Sequence, residues 1–211
     1  MGDNYGTVTN CYSNGTVSGD RYVGGLVGYN YGTVTNCYSS ATVSGYYYYV
    51  GGLVGTNSYG RWTNSYGSVS NCYSSGTVSG DQYVGGLVGS NDYGCSITNC
   101  YSTGTVSGDG NIGGLVGFGS DSWILYSVWD IETSGLSKSD GGVGLTTDQM
   151  MDPNILGLFG FTNNPNWVLD AGNDYMRLAW EDTPGQIIGE PVIDWMEGSG
   201  IEENPYKIGT A

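Results

Sequence analysis

The sequence predicts an all-β chain, a parallel β-solenoid (β-helix) of about four to five coils with an irregular C-terminal capping segment containing one short helix. Three observations carry this reading. One stretch recurs along the chain, strand-forming residues alternate with polar ones, and glycine sits at fixed places. The recurring stretch is Tyr22-Val23-Gly24-Gly25-Leu26-Val27-Gly28, and it returns with its first glycine at 51, 85 and 113, at spacings of 27, 34 and 28 residues. A period of roughly 20–50 residues marks a stacked architecture. The 39 glycines among 211 residues are far above the usual share of about 7%, without collagen's every-third-residue rule. Tyr, Val and Thr between them are strand residues, and recurrent glycine marks bends.

Each repeat reads as three short strands. The first is Thr7-Val8-Thr9, running into Asn10-Cys11-Tyr12-Ser13. The second is Thr16-Val17-Ser18, between Gly15 and Gly19. The third is the Tyr-Val-Gly-Gly-Leu-Val stretch. Alternation points Val8 and Val17 inward. Leu26 and Val27 are adjacent and cannot both face inward on a regular pleat, so Leu26 is expected inside. No helix lies between strands, so the coil itself makes the parallel crossover.

Stacking converts sequence columns into spatial rows. Asn10, Asn36, Asn71 and Asn99 form one column, expected to bond amide to amide from rung to rung. Cys11, Cys37, Cys72 and Cys100 form the next. They lack zinc-site spacing and suit an inward corner as small apolar groups. Cys95 makes the count odd, so pairing of every cysteine within the chain is ruled out. An insertion, Ser58 to Asn64, accounts for the spacing of 34. Tyr46-Tyr47-Tyr48-Tyr49 replaces the Gly-Asp-x turn of the other coils. Loops that depart from a repeat gather on one face and bind partners. Tyr46, Tyr47, Tyr48, Tyr49 and Trp62 are therefore the candidate ligand contacts, for a stacked sugar or for another protein, beside the plainer role of capping the solenoid wall.

A fifth, altered coil follows at Ile124–Trp129. Ser127 falls in the cysteine column, and Trp129 is expected to close the stack. Thr146 and Gln149 have capping-box spacing, which predicts a helix over Asp148–Met151 that stops at Pro153. Trp167–Leu169 and Tyr175–Trp180 read as strands that pack on the end or flank of the solenoid. The expected division is a repeat region over 1–130, a cap over 131–185 and a tail over 186–211.

Charge and composition exclude whole classes of function. Net charge is −15, and 12 of those negative charges belong to residues 118–211. Such a surface repels phosphate backbones, so no nucleic-acid partner is expected. The chain has no histidine, the commonest general base and metal ligand. No apolar run approaches the roughly 20 residues of a membrane span. No catalytic set, metal site or cofactor is expected. Asp20, Asp81 and Asp109 recur on turns, but Tyr46 breaks their column, and solvated turn residues are the expectation. Outward Thr and Ser columns, such as Thr7, Thr33, Ser68 and Ser96, leave an ice-binding alternative.

The Gly-Gly-Leu-Val-Gly cores, with Asn-Cys-Tyr-Ser and Gly-Thr-Val-Ser-Gly between them, resemble the GLUG-motif repeats of bacterial and archaeal surface proteins. That family includes adhesins and the flanks of immunoglobulin A peptidases. Val128 to Gly135, Gly144 to Thr147 and Tyr175 to Glu181 resemble the segment that closes such arrays, although Met176 stands where proline is usual. The resemblance implies an extracellular or cell-surface β-solenoid of structural or adhesive use. It does not carry peptidase activity, since a His-Glu-x-x-His zinc site needs histidine. Gly198 to Ile208 resembles the opening of such a domain. The expectation is head-to-tail self-assembly into a filament, through Ile201, Pro205, Tyr206 and Ile208, or membership of a longer tandem chain.

Overall fold

The structure is a computed structural model and describes residues 1–188. The expected tail residues Ile201, Pro205, Tyr206 and Ile208 lie outside the described residues. The repeats stack as parallel coils, and each of the first four coils contributes to four sheets rather than three. The first sheet holds Asp3–Asn4, Val27–Asn30, Val54–Asn57, Val88–Asn91 and Val116–Gly119. The second holds Thr7–Thr9, Thr33–Thr35, Ser68–Ser70, Ser96–Thr98 and Trp123–Leu125. The third runs from Tyr12–Ser13 through Tyr38–Ser39, Tyr73–Ser74 and Tyr101–Ser102 to Val128–Asp130 and Val143–Leu145. The fourth carries the two Val-containing strands on either side of the Gly-Asp-x turn, as in Thr16–Gly24 and Thr42–Gly51.

Two local conformations explain the extra corners. Asn10, Asn36, Asn71 and Asn99 adopt left-handed φ of 48–52° and turn the chain between the second and third sheets. Asparagine tolerates that region better than most residues. At Gly25-Leu26 the chain bends instead of continuing as strand. Leu26 and Val27 therefore both reach the core, with Val27 fully buried and Leu26 packed against it. The expectation that only Leu26 faces inward fails because that expectation assumed an unbroken pleat.

The main core runs up the tube as rows of like residues. Val8, Val34, Val69 and Ile97 form one row, and Leu53, Leu87 and Leu115 another. Val17 does not join them. It packs with Val23, Val43, Val50, Val78 and Val84 in a second, smaller core inside the fold of the fourth sheet. The glycine at the turn allows that fold: a Cβ on Gly45 would meet the Val50 side chain at 2.3 Å.

Glycine is also required where coils touch. A Cβ on Gly52 would sit 2.2 Å from the Gly86 carbonyl oxygen above and 2.1 Å from Ser74 Oγ. Real Cβ atoms do not approach so closely, and both neighbours are held by the stack. The second glycine of each Gly-Gly pair thus sets the contact between sheets.

The C-terminal segment covers a flank as well as the end. Three short helices replace the single one expected: α1 (Ile131–Ser134), α2 (Thr147–Met150) and α3 (Pro153–Leu158). The capping box forms as anticipated, with Gln149 N donating to Thr146 Oγ1 at 3.3 Å and Thr146 N to Gln149 Oε1 at 3.0 Å. Pro153 does not simply end a helix; it opens α3 at the first helical position, with Asp152 as N-cap. Its missing N–H costs nothing there. A strand at Trp167–Leu169 forms as expected, but only Arg177–Leu178 of the second predicted strand does, before a 3-10 turn at Ala179–Glu181. Gln186–Ile187 pairs with Trp167–Leu169, so the cap sheet extends past 185. Trp129 does not close the stack either, because Val143–Leu145 lays another parallel strand over Val128–Asp130.

Asp130 ties solenoid to cap. It is fully buried and accepts from Tyr175 Oη at 2.6 Å, Thr147 Oγ1 at 2.7 Å, and the amides of Glu132 and Thr133 at 2.8 and 3.1 Å. Burial works against its charge, but these four donors outweigh burial and hold the carboxyl below its usual 3.8. A carboxyl depressed in the folded state adds stability above its unfolded pKa, and that stability is lost as pH falls through the folded value. The cap should therefore loosen below pH about 4, read as a change in Trp167 fluorescence, with Asp130→Asn flattening the acid limb. At neutral pH, Gly52→Ala should destabilise the chain by about 3 kcal/mol or more in denaturant melts, whereas Gly2→Ala, which meets nothing within 4 Å, should be near neutral.

Candidate functional site

The rows proposed from sequence form, but not all as expected. Cys11, Cys37 and Cys72 stack in line, with each backbone N–H of Cys11 and Cys37 donating to the next cysteine's Sγ at 3.4 Å. Ser127 continues the column, accepting from Cys100 N at 3.1 Å. All five cysteines are free thiols. Burial pushes the Cys72 thiol well up and the Cys95 thiol up to about 11, which keeps both protonated and unreactive.

The asparagine ladder lies elsewhere. Asn10, Asn36, Asn71 and Asn99 form the corner, and their amides do not bond from rung to rung. Asn71 Oδ1 accepts from Asn164 Nδ2 at 2.9 Å, and Asn99 Nδ2 donates to Gly160 O at 2.9 Å, so two of them hold the cap. The rung-to-rung chain is built by Asn4, Asn30, Asn57 and Asn91, joined Nδ2 to Oδ1 at 2.7, 2.8 and 2.7 Å. These residues are buried. Their signal was present in the sequence as an Asn two residues after each of the first three Gly-Gly-Leu-Val-Gly cores.

Aromatic residues follow the same rule and make most of the accessible chemistry. Tyr12, Tyr38, Tyr73 and Tyr101 stack at 5.3, 4.9 and 4.9 Å. The cap claims this column: Trp167 packs on Tyr101, Tyr73 Oη donates to Glu181 Oε2 at 2.9 Å, Tyr101 Oη donates to Met176 O, and Trp180 Nε1 donates to Asn36 O at 3.0 Å. A second column stays open to solvent. Tyr22, Tyr49 and Tyr83 stack at 5.1 Å per step with left-handed φ of 55, 65 and 56°. That conformation costs a bulky residue about 1–2 kcal/mol, and it persists only where the surroundings impose it.

The candidate contacts fall on both sides of this column. Tyr46 is 79% exposed and borders a groove with Asp20, Asp81 and Asp109. Arg21 lies 5.5 and 5.7 Å from the Tyr47 and Tyr48 ring centres, a cation–π pairing. Tyr49 is the middle ring of the stack. Trp62 is 92% exposed at the tip of a small hairpin, Tyr59–Gly60 with Ser65–Tyr66, and borders a different groove of about 290 Å³ with Tyr5, Tyr31 and Arg61. The two patches named from sequence do not share a pocket. Tyr29 connects them: its ring lies 4.8 Å from Tyr22 and 4.4 Å from Tyr31, and Tyr31 stacks on Tyr5 at 4.8 Å. An aromatic band thus runs from the tyrosine turn to the tryptophan hairpin. Sequence reasoning missed its middle, because the bridging rings belong to different sheets.

Among the described residues there is no group of three or more His, Cys, Asp or Glu side chains placed to hold a metal, and no helix long and apolar enough to cross a membrane. With the inward cysteines described above, native protein should expose only the partly buried Cys11 to a thiol reagent, while all five react once denatured. Stopped-flow labelling checks the count.

Comparison with known proteins agrees with the architecture. The family model of the GLUG motif matches residues 19–44, 46–79 and 80–107. A comparison with curated proteins gives no match. A crystal structure of a candidate immunoglobulin A1 protease from Bacteroides ovatus is similar, at 25% identity and a TM-score of 0.59 over 82% of this chain. This chain spans 57% of that one. Three consecutive GLUG-motif matches over residues 19–107 thus fall on coils that stack in register in an all-β parallel solenoid fold.

Proposed function

We propose that this chain is a non-catalytic, extracellular or cell-surface β-solenoid of structural or adhesive use, joined end to end with further coils. One observation carries the reading. The buried polar side chains of the tube are engaged in a ladder between coils, as Asn57 is with Asn30 and Asn91, and a band of exposed and half-buried aromatic rings runs along the surface. Groups already bonded within a rigid stack are poor acids, bases or nucleophiles. Exposed aromatic surface of this extent is the kind that contacts a partner.

End-to-end growth is supported by the sheet edges. In the first three sheets the first coil's strand is an edge, and in the fourth Thr16–Gly24 pairs with the second coil alone among the described residues. Such an edge accepts another parallel coil, from the same polypeptide or a second copy. A repeating head-to-tail contact that does not close makes a filament. Peptidase activity in the Bacteroides ovatus neighbour's name finds no support in a chain without histidine.

Carbohydrate binding by the band is the second reading, favoured by the exposure of Tyr46 and Trp62. Ice binding has less support: the hydroxyl column Thr7, Thr33, Ser68, Ser96 ends on the exposed Trp123, which interrupts a flat array. Electron microscopy and sedimentation across a concentration series test assembly, with growing rods expected and a concentration-independent monomer counting against self-assembly. A glycan array tests the band, and Trp62→Ala with Tyr46→Ala should weaken the contribution of the outer rings to any signal while leaving the fold intact.

A further inference from the structure

One column of the first sheet departs from the rule that like stacks on like. In register, Tyr29, Thr56, Ser90 and Phe118 lie above one another. Two small hydroxyl residues between two aromatic ones leave a gap two rungs tall, about 10 Å. The left-handed stack of Tyr22, Tyr49 and Tyr83 walls one side. Tyr29 leans on Tyr22 at 4.8 Å and Phe118 on Tyr83 at 5.2 Å, so a ring closes each end. The result is a pit of about 120 Å³, open to solvent on one side.

Its floor is polar and incompletely bonded. Thr56 is 2% and Ser90 1% exposed. Ser90 Oγ donates to Asp92 Oδ1 at 2.8 Å, which brings a carboxylate to the rim. Thr56 Oγ1 is buried and has no hydrogen-bond partner among the described residues. A buried hydroxyl left unpaired is costly, and such a group in the lining of a pit calls for a partner.

We propose that this pit binds a single neutral pyranose unit, as the specificity-bearing contact of a glycan. The inference deepens the adhesive reading above and rests on it only for the ligand's purpose. A sugar ring offers apolar C–H faces to aromatic walls and hydroxyls that both donate and accept, which matches the Thr56–Ser90 floor and the Asp92 acceptor. A quaternary ammonium ligand fits less well, because it carries no N–H or O–H to pair with Thr56. An acidic ligand meets Asp92 and a chain of net charge −15.

Saturation-transfer NMR on the full chain tests this with the methyl glycosides of glucose, galactose, mannose and N-acetylglucosamine, and with tetramethylammonium as the cationic probe. Transfer from tyrosine ring protons to at least one glycoside is expected. Thr56→Val, which keeps the shape, and Asp92→Asn should each weaken binding roughly tenfold. Ser90→Phe, which fills the gap, should abolish it. Circular dichroism confirms folding, and Leu158→Ala on the exposed cap surface serves as control. No glycoside signal, unchanged binding in Thr56→Val and Asp92→Asn, or binding of tetramethylammonium alone overturns the proposal. If Trp62→Ala removes glycoside binding while Thr56→Val does not, the pit is wrong and the outer band is the adhesive contact.

Discussion

The parallel hydrogen-bonded register between coils is the constraint from which the rest of the molecule follows. Once Val69 stands between Val34 and Ile97, every other position of the coil is fixed against its counterpart. A side chain must then tolerate a near copy of itself about 4.8 Å away. Valine and leucine do so by packing, asparagine by bonding amide to amide, and tyrosine by offset stacking. Charged residues do not, since like charges directly opposite repel. The solenoid region holds only five acids and two bases before residue 118. The bulk of the negative charge lies in the C-terminal part, where the described residues no longer follow the ladder.

How much of this was legible depends on the kind of signal. Periodicity revealed the coils, the inward cysteines and Ser127 as the fifth member of their column, because a repeat needs no knowledge of side-chain direction. Direction itself was less legible. Asn10 and Asn4 both recur, but only backbone conformation separates a corner residue from a ladder residue, and φ is not written in a spacing. Val17 alternates like Val8, yet the fold at Gly19 turns it into a second core. The binding candidates show the same limit. Tyr46 and Trp62 stand out as departures from the repeat, whereas Thr56 and Ser90 look like ordinary outward hydroxyls. Their interest comes from the aromatic neighbours above and below, Tyr29 being 27 residues before Thr56 and Phe118 28 residues after Ser90.

Strain and ring stacking coincide at one place. Three tyrosines in the left-handed region are imposed by the same register that stacks them, so the cost of the conformation is offset by ring contact and by the fixed approach of the following Gly-Gly bend. The cap shows the contrasting solution. It interrupts the repeat with helices capped by Asp130, Thr146 and Asp152, and it covers the Tyr73–Tyr101 column that would otherwise remain open like the Tyr22–Tyr83 column. One aromatic row serves the interior and the other faces outward.

The hairpin carrying Trp62 leaves and re-enters the wall at a narrow neck. Gly67 N donates to Ser58 O at 3.0 Å, and Asn57 Nδ2 donates to Gly67 O at 3.1 Å, so the neck is fastened by the ladder itself. Closing a longer excursion across a fastened neck adds little entropy cost, about 0.6 kcal/mol per doubling of length. This corner is thus a port: peptide of varied length can be spliced there and displayed laterally without shifting the rungs beneath it.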